Sequence, residues 1–252
     1  MTTGMTVLKD TAAMAQIVCH RMTVLRQQRG VAGTAVYCAR YIRRLPQRLG
    51  RLLRETTFDR KMGVQTSRLV AATDLGIDEG QLLEVGRNAR GVAYMPTPAW
   101  ALPAILEDMN VNYPDFNFID LGSGMGRVVL IAAEYPFRKV VGVEFSPDLH
   151  RTAEDNLARN APTQRAMAVE LICQDAREYT FPPGNCIVYL FNPFQEKVMR
   201  TVLDKLKKLS NNTADQLWVI YFNPVLGALL DESSFLVKVK ATRHYWIYVC
   251  RS

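Results

Sequence analysis

Three glycines stand within five residues at Gly122-Ser123-Gly124-Met125-Gly126, directly after Asp120-Leu121. Glycines at that density let a backbone turn tightly and approach a ligand, with the N-terminus of a following helix aimed at it. A dinucleotide fingerprint would read G-x-G-x-x-G, whereas this run is G-x-G-x-G followed by Arg127, so no pyrophosphate cradle is implied. An acid at Asp120 would repel a phosphate and suits a ligand carrying an ammonium group. Eighteen residues after Gly126 stands Glu144, at a spacing where a carboxylate accepts both hydroxyls of a ribose. Asp175, in Cys173-Gln174-Asp175-Ala176, pairs an acceptor with a neighbouring backbone N–H, which suits the edge of an adenine; a turn-forming Asp is the other use of that pattern. Phe191-Asn192-Pro193-Phe194 supplies a side-chain carbonyl, backbone carbonyls beside a proline that offers no donor, and a π face. Those parts hold an amine nucleophile and face a cation. Phe222-Asn223-Pro224 echoes it, and a strand-terminating turn is the alternative for either Asn-Pro.

These clusters need elements that bring them to one edge. Phe116–Leu121, Val140–Glu144, Val169–Cys173, Cys186–Phe191 and Leu217–Phe222 are short apolar runs that read as strands, each ending at or beside one of the clusters. Between them lie helical segments. Residues 127–134 are apolar nearly all round, Ser146-Pro147-Asp148 opens a helix with an N-cap, a first-turn proline and an acid, and Val198, Met199, Val202, Leu203 and Leu206 recur at helical spacing. Phe235–Val239 and His244–Cys250 read as a closing hairpin. Strands alternating with helices imply a parallel, doubly wound α/β sheet, in which ligands bind beyond the carboxyl ends of the strands. Upstream, residues 99–109 read as a helix, the prolines at Pro96 and Pro98 keep the segment from Tyr94 out of regular helix, and Leu82, Leu83 and Val85 suggest a short one.

The charge is unevenly divided along the 252 residues. Residues 1–62 hold 12 Lys/Arg and 3 Asp/Glu, giving +9, while the other 190 hold 19 and 21, giving −2; the sum is the overall +7. Residues 12–28 have helical composition, and over 34–56 arginines alternate with leucines as in a basic amphipathic helix or helix pair broken near Pro46. Such an arm docks on its own domain, meets an anionic partner or membrane surface, or directs the chain to an organelle. No run of about 18 uninterrupted apolar residues exists to form a transmembrane helix. Five scattered cysteines without a CxxC pair read as free thiols, most of them small core residues, in a reducing and hence cytoplasmic compartment. Three scattered histidines and no ligand cluster give no metal site. No strand end carries a catalytic histidine, and His244 reads as structural.

Asp-Leu-Gly-Ser-Gly-Met-Gly (120–126), Val-Glu-Phe-Ser (143–146), Gln-Asp-Ala (174–176) and Phe-Asn-Pro-Phe (191–194), in that order and spacing, resemble the class I S-adenosylmethionine-dependent methyltransferases over residues 92–252. Tyr94-x-Pro96-Thr97 and Glu134-Tyr135-Pro136-Phe137 sharpen the likeness to a bacterial branch of them, similar in turn to lysine methyltransferases of the ATP-synthase c-subunit type and the non-SET histone type. The resemblance implies a seven-stranded, Rossmann-like class I sheet with a terminal antiparallel hairpin. It divides the chain into a basic helical extension (1–62), a helical lead-in that caps the cofactor site (63–110) and the methyltransferase domain (111–252). It implies S-adenosylmethionine as cofactor, S-adenosylhomocysteine as product, and no metal. It places Asp120 and Gly122, Ser123, Gly124 and Gly126 by the methionine moiety, Glu144 with Phe145 on the ribose, and Asp175 with Ala176 on the adenine. Tyr94, Thr97 and Asn192 join the cofactor contacts, and Asn192, Pro193 and Phe194 form the catalytic set by the transferred methyl. Related amine methylases often carry a second proline after the Asn-Pro, absent here. The acceptor is expected to be an amine, a protein lysine or a small molecule. Methylation of oxygen, methylation of nucleic acid and a non-catalytic cofactor-binding module are the other readings.

Overall fold

The computed structural model describes residues 57–68, 70–71, 92–160, 164–211 and 215–250. The helices expected over 12–28 and 34–56 and near Leu82–Val85 lie outside these residues, as does the role of the basic arm. From Asp59 onward the chain forms one compact unit.

A short antiparallel pair, β1 (Val70–Ala71) and β2 (Val92–Tyr94), leads into helix α1 (Ala101–Glu107) and a 3-10 turn at Tyr113–Asp115. Then come β3 (Phe116–Leu121), α2 (Arg127–Ala133), β4 (Lys139–Glu144), α3 (Pro147–Asn160), β5 (Val169–Cys173), β6 (Asn185–Phe191), α4 (Glu196–Ser210), β7 (Leu217–Phe222), α5 (Gly227–Asp231), β8 (Leu236–Ala241) and β9 (Tyr245–Cys250). The seven strands from β3 form one sheet in the order β5-β4-β3-β6-β7-β9-β8. β3 pairs in parallel with β4 and β6, β4 with β5, and β6 with β7, while β9 runs antiparallel between β7 and β8. This is the doubly wound sheet with a closing hairpin that the strand pattern predicts. The hairpin's place in it, with the last strand inside the second-last, is a tertiary outcome.

Burial explains that order. β3 is buried at every position, as a central parallel strand covered on both faces must be. β8 buries only Leu236 and exposes Val237 and Val239 beside half-buried Lys238 and Lys240. It takes the edge, where lysines discourage further strand pairing. β9 buries Tyr245, Ile247 and Tyr248 and fills the interior position. α2 is buried at all seven positions, and α4 turns Met199, Val202, Leu203 and Leu206 to the core. α5 has too few residues for a helical period and is not legible in the sequence.

The chain builds outward from β3 to β5 and then returns to the other side of β3 with β6. The switch point between β3 and β6 opens a crevice at their carboxyl ends, and the glycine run and Asn192-Pro193 are the two segments that leave it. Of the three described cysteines, Cys186 is buried, with its thiol pushed up to about 12 by that burial. Cys173 is exposed and Cys250 half-buried, so among the described residues the core reading of the cysteines holds for Cys186 alone.

Candidate functional site at the carboxyl ends of the central strands

The loop after β3 is fixed by its glycines. Gly122, Gly124 and Gly126 all have positive φ, at 82°, 55° and 83°, a region open to glycine at no steric cost. Space makes the same demand at two of them. A Cβ on Gly122 would lie 2.6 Å from Pro193 Cβ, and one on Gly124 would overlap the Tyr94 ring. The glycine run, the Asn192-Pro193 turn and Tyr94 therefore meet at the switch point, as the sequence reading expects of a single site.

Glu144, at the end of β4, is 4% exposed. One carboxylate oxygen accepts from Gly124 N–H and the other from Ser146 N–H, both at 2.8 Å. Burial raises its pKa, against the opposing pull of those backbone donors. Each oxygen keeps acceptor capacity beyond its one N–H, so a pair of vicinal hydroxyls can be received by a carboxylate already braced in place. Asp120, near the end of β3, is only 3% exposed. Burial, and then the neighbouring Glu144 charge, push its pKa well above the usual carboxylate range. The Ser123 hydroxyl is buried without a partner among the described residues.

The raised Asp120 pKa has a measurable consequence. In the ligand-free protein the folded form holds that proton more tightly than the unfolded form, so the associated stability is present at low pH and is lost as pH rises through the raised pKa. Asp120→Asn is therefore expected to unfold at higher temperature than wild type at neutral pH, and at the same temperature below the carboxylate range. Thermal melts across that range check this, and a variant less stable than wild type at neutral pH contradicts it.

At the end of β6, Asn192 takes a left-handed φ of 45°, and Asn223 repeats the conformation at the end of β7 with 50°. Such geometry is uncommon outside glycine, and Asn is among the residues that tolerate it. The Asn192 carbonyl oxygen accepts from Tyr221 O–H at 3.1 Å, and Tyr221 Oη in turn accepts from Leu226 N–H. Burial pushes the Tyr221 pKa up to about 12, so the phenol stays a donor at neutral pH. Asn223 plays another part: its N–H donates to the His244 carbonyl and ties β7 to the start of β9.

The remaining expected residues are dispersed in environment. Asp175 lies just past β5, but its carboxylate is gripped by the Arg177 guanidinium and backbone N–H, which hold it below the usual range. Ala176 is buried in the main core, Phe194 packs against that core, and Phe145 is exposed. Thr97 is buried, with its hydroxyl 3.1 Å from that of Tyr189 and its carbonyl accepting from Arg127. Tyr94 donates from its hydroxyl to the Thr66 carbonyl, which seats its ring on Gly124.

Arg127 is what the residue pattern leaves unassigned. It is 1% exposed and donates to Thr66 Oγ1, Ser67 Oγ and the Thr97 carbonyl, with Asp59 at 3.3 Å. Asp59 also accepts from Thr66 and Ser67 N–H. Asn156 and Asn160 on α3 bind Gln65, Met125 and Met62 carbonyls. A buried polar network thus fastens residues 59–67 and the proline turn onto the glycine loop. The available signal was a cation opening a helix apolar on every side, a position that burial forces to be paired.

Known proteins align with this region. Residues 118–212 match the family model described as methyltransferase domain. A curated protein-lysine N-methyltransferase of Saccharolobus islandicus (strain REY15A) is 38% identical over 80 residues, 31% of this chain and 49% of that protein; the match spans about half the length of that relative. Among solved structures, magnesium protoporphyrin IX methyltransferase from Synechocystis PCC 6803, with bound S-adenosylmethionine, is 15% identical over 61% of this chain and 78% of its own, with a TM-score of 0.44. The ribosomal protein L11 methylase from Lactobacillus delbrueckii subsp. bulgaricus is 19% identical over 60% and 76%, with a TM-score of 0.41.

Proposed function

We propose that the chain, whose residues 118–212 match a methyltransferase-domain model, is a class I S-adenosylmethionine-dependent methyltransferase whose acceptor is an amine, preferentially a protein lysine. One observation carries the reading: the glycine loop, braced by Glu144, packs directly on the Asn192-Pro193 turn at the switch point. The residues present fit the cofactor. The buried Asp120 carboxylate and the unpartnered Ser123 hydroxyl are suited to the amino-acid end of the cofactor, Glu144 to its ribose, and the positive-φ glycines leave room for it. When bound, S-adenosylmethionine supplies an electrophilic methyl on a sulfonium, and the acceptor's lone pair takes that carbon while the broken bond's electrons stay on sulfur.

The chain's own task is then positioning. Asn192 offers its carbonyl, oriented by Tyr221, as acceptor to the N–H of an incoming amine, so that the amine's lone pair points away from that carbonyl. Desolvation of an incoming amine against the half-buried Asn192, Pro193 and Phe194 favours its neutral form over the ammonium, and the proton leaves to water. Holding two partners in register contributes several kcal/mol, about 7–11 at best. The lysine preference draws support from the partial likeness to the Saccharolobus islandicus protein and from the carbonyl acceptors beside Pro193, which has no N–H of its own.

Turnover of a labelled methyl donor to S-adenosylhomocysteine on lysine-bearing protein tests the activity. Asn192→Gly is the sharper variant, because it removes the carbonyl while keeping the left-handed backbone. Loss of that hydrogen bond should lower turnover about tenfold and leave S-adenosylhomocysteine affinity within about twofold. Equal loss of both would make Asn192 a cofactor or structural residue. Asn223→Gly is the control and should leave the rate near wild type.

The basic arm is proposed to meet an anionic partner or membrane surface. Flotation with anionic liposomes, lost at high salt, is expected of the full chain and not of one lacking residues 1–56. Cofactor affinity should survive that truncation, since the network on the glycine loop begins at Asp59.

A further inference from the structure

Trp100 is large, apolar and 50% exposed at the N-terminus of α1. Its ring meets Phe222 edge-on, with centroids 6.4 Å apart, and His244 edge-on at 5.9 Å. Phe222 in turn meets Phe191 edge-on at 5.0 Å, and Phe191 is the residue before Asn192. Strand register puts all of this at one edge: Phe191 pairs with Phe222, Phe222 with Tyr245, and His244 precedes Tyr245. Val225, 48% exposed, is folded onto Asn223 by its N–H. A continuous row of rings therefore runs from the acceptor end of the crevice out to solvent, on the side of β6 away from the Glu144 strand.

We propose that Trp100 and His244 form an open aromatic ledge that receives the side chain of a lysine presented by a protein segment. The inference rests on the proposed amine acceptor and names how it is recognised. Ring faces attract a cation, Trp most strongly, and a methylene stem packs on the same rings while its amine reaches past them. The openness of the ledge selects the partner. A small molecule is gripped by a concavity that buries most of its surface, whereas His244 is exposed and Trp100 and Val225 are each about half exposed. That is the form of a surface over which a larger molecule lays one residue.

The test uses the full chain with its tryptophans 15N-labelled and with saturating S-adenosylhomocysteine. The three indole resonances, from Trp100, Trp218 and Trp246, are assigned by Trp→Phe variants. A lysine-containing peptide should shift the Trp100 resonance and leave Trp218 and Trp246 in place, while the same peptide with the lysine replaced by alanine should shift none. In methyl transfer to that peptide, Trp100→Ala should raise KM about three- to tenfold with little change in kcat, and Trp100→Phe should restore most of the loss. A Trp100 resonance that ignores the lysine peptide overturns the ledge, as does a KM unchanged in Trp100→Ala. A response to single-stranded RNA in place of the peptide overturns the lysine assignment. Failure of the wild-type chain to bind S-adenosylhomocysteine would instead sink the methyltransferase reading itself, so the two failures are distinguishable.

Discussion

Replacing Arg127 with methionine should destabilise the protein by about 3–5 kcal/mol, the usual cost of removing one partner from a buried ion pair. The guanidinium is enclosed and Asp59 beside it is 15% exposed. Removing the cation takes partners from Thr66 Oγ1, Ser67 Oγ and the Thr97 carbonyl at once, and methionine offers no donor in return. The Asp59 carboxylate keeps its bonds from Thr66 and Ser67, which hold the expected loss within that range rather than above it. Urea unfolding followed by far-UV circular dichroism measures the difference. A loss below about 1 kcal/mol would match an exposed ion pair and would mean that water readily replaces the guanidinium. Lysine at the same position should recover only part, since it lacks the planar fork that reaches several acceptors together.

Glu144→Ala should weaken S-adenosylhomocysteine binding by about 2 kcal/mol or more, because two ribose hydroxyls lose a charged acceptor. That corresponds to roughly thirtyfold in Kd. The structure adds a second effect. Glu144 is also the partner of Gly124 and Ser146 N–H, so the variant leaves two loop donors without it and should be less stable as well as weaker in binding. Glu144→Gln separates the two effects in part: it preserves size and one acceptor, but turns an amide NH2 toward one of the same backbone donors. Calorimetry on both variants checks the assignment. Affinity in Glu144→Ala equal to wild type would remove Glu144 from the cofactor site and leave it as a brace for the loop.

The two predictions differ in how far the sequence foresees them. The position of Glu144 is legible because a strand-end acid 18 residues past the last glycine stands in register with the glycine loop, and that register, not the acid alone, points to a ribose. Arg127 is visible only as a departure from a fingerprint. Its partners lie 30 to 68 residues away along the chain, and no local rule pairs residues at such separations. The same holds for Tyr221, which orients Asn192 from a neighbouring strand. Thr97 shows the opposite case. The motif that contains it is readable, yet its hydroxyl pairs with Tyr189, because the strand facing it is set by sheet order.

Local sequence pattern specifies the strands, the major helices and the residues that end up at their carboxyl termini. Those features depend on local periodicity, on prolines and glycines, and on the requirement that a central parallel strand be apolar on both faces. Which of those ends meet is set by long-range packing. Packing places β6 beside β3 so that Pro193 rests on Gly122, puts β9 inside β8, and closes residues 59–67 over the glycine loop around the buried Arg127. The physical reason is that buried charges and polar groups must find partners wherever the fold brings them, and those partners are chosen by packing across the whole domain.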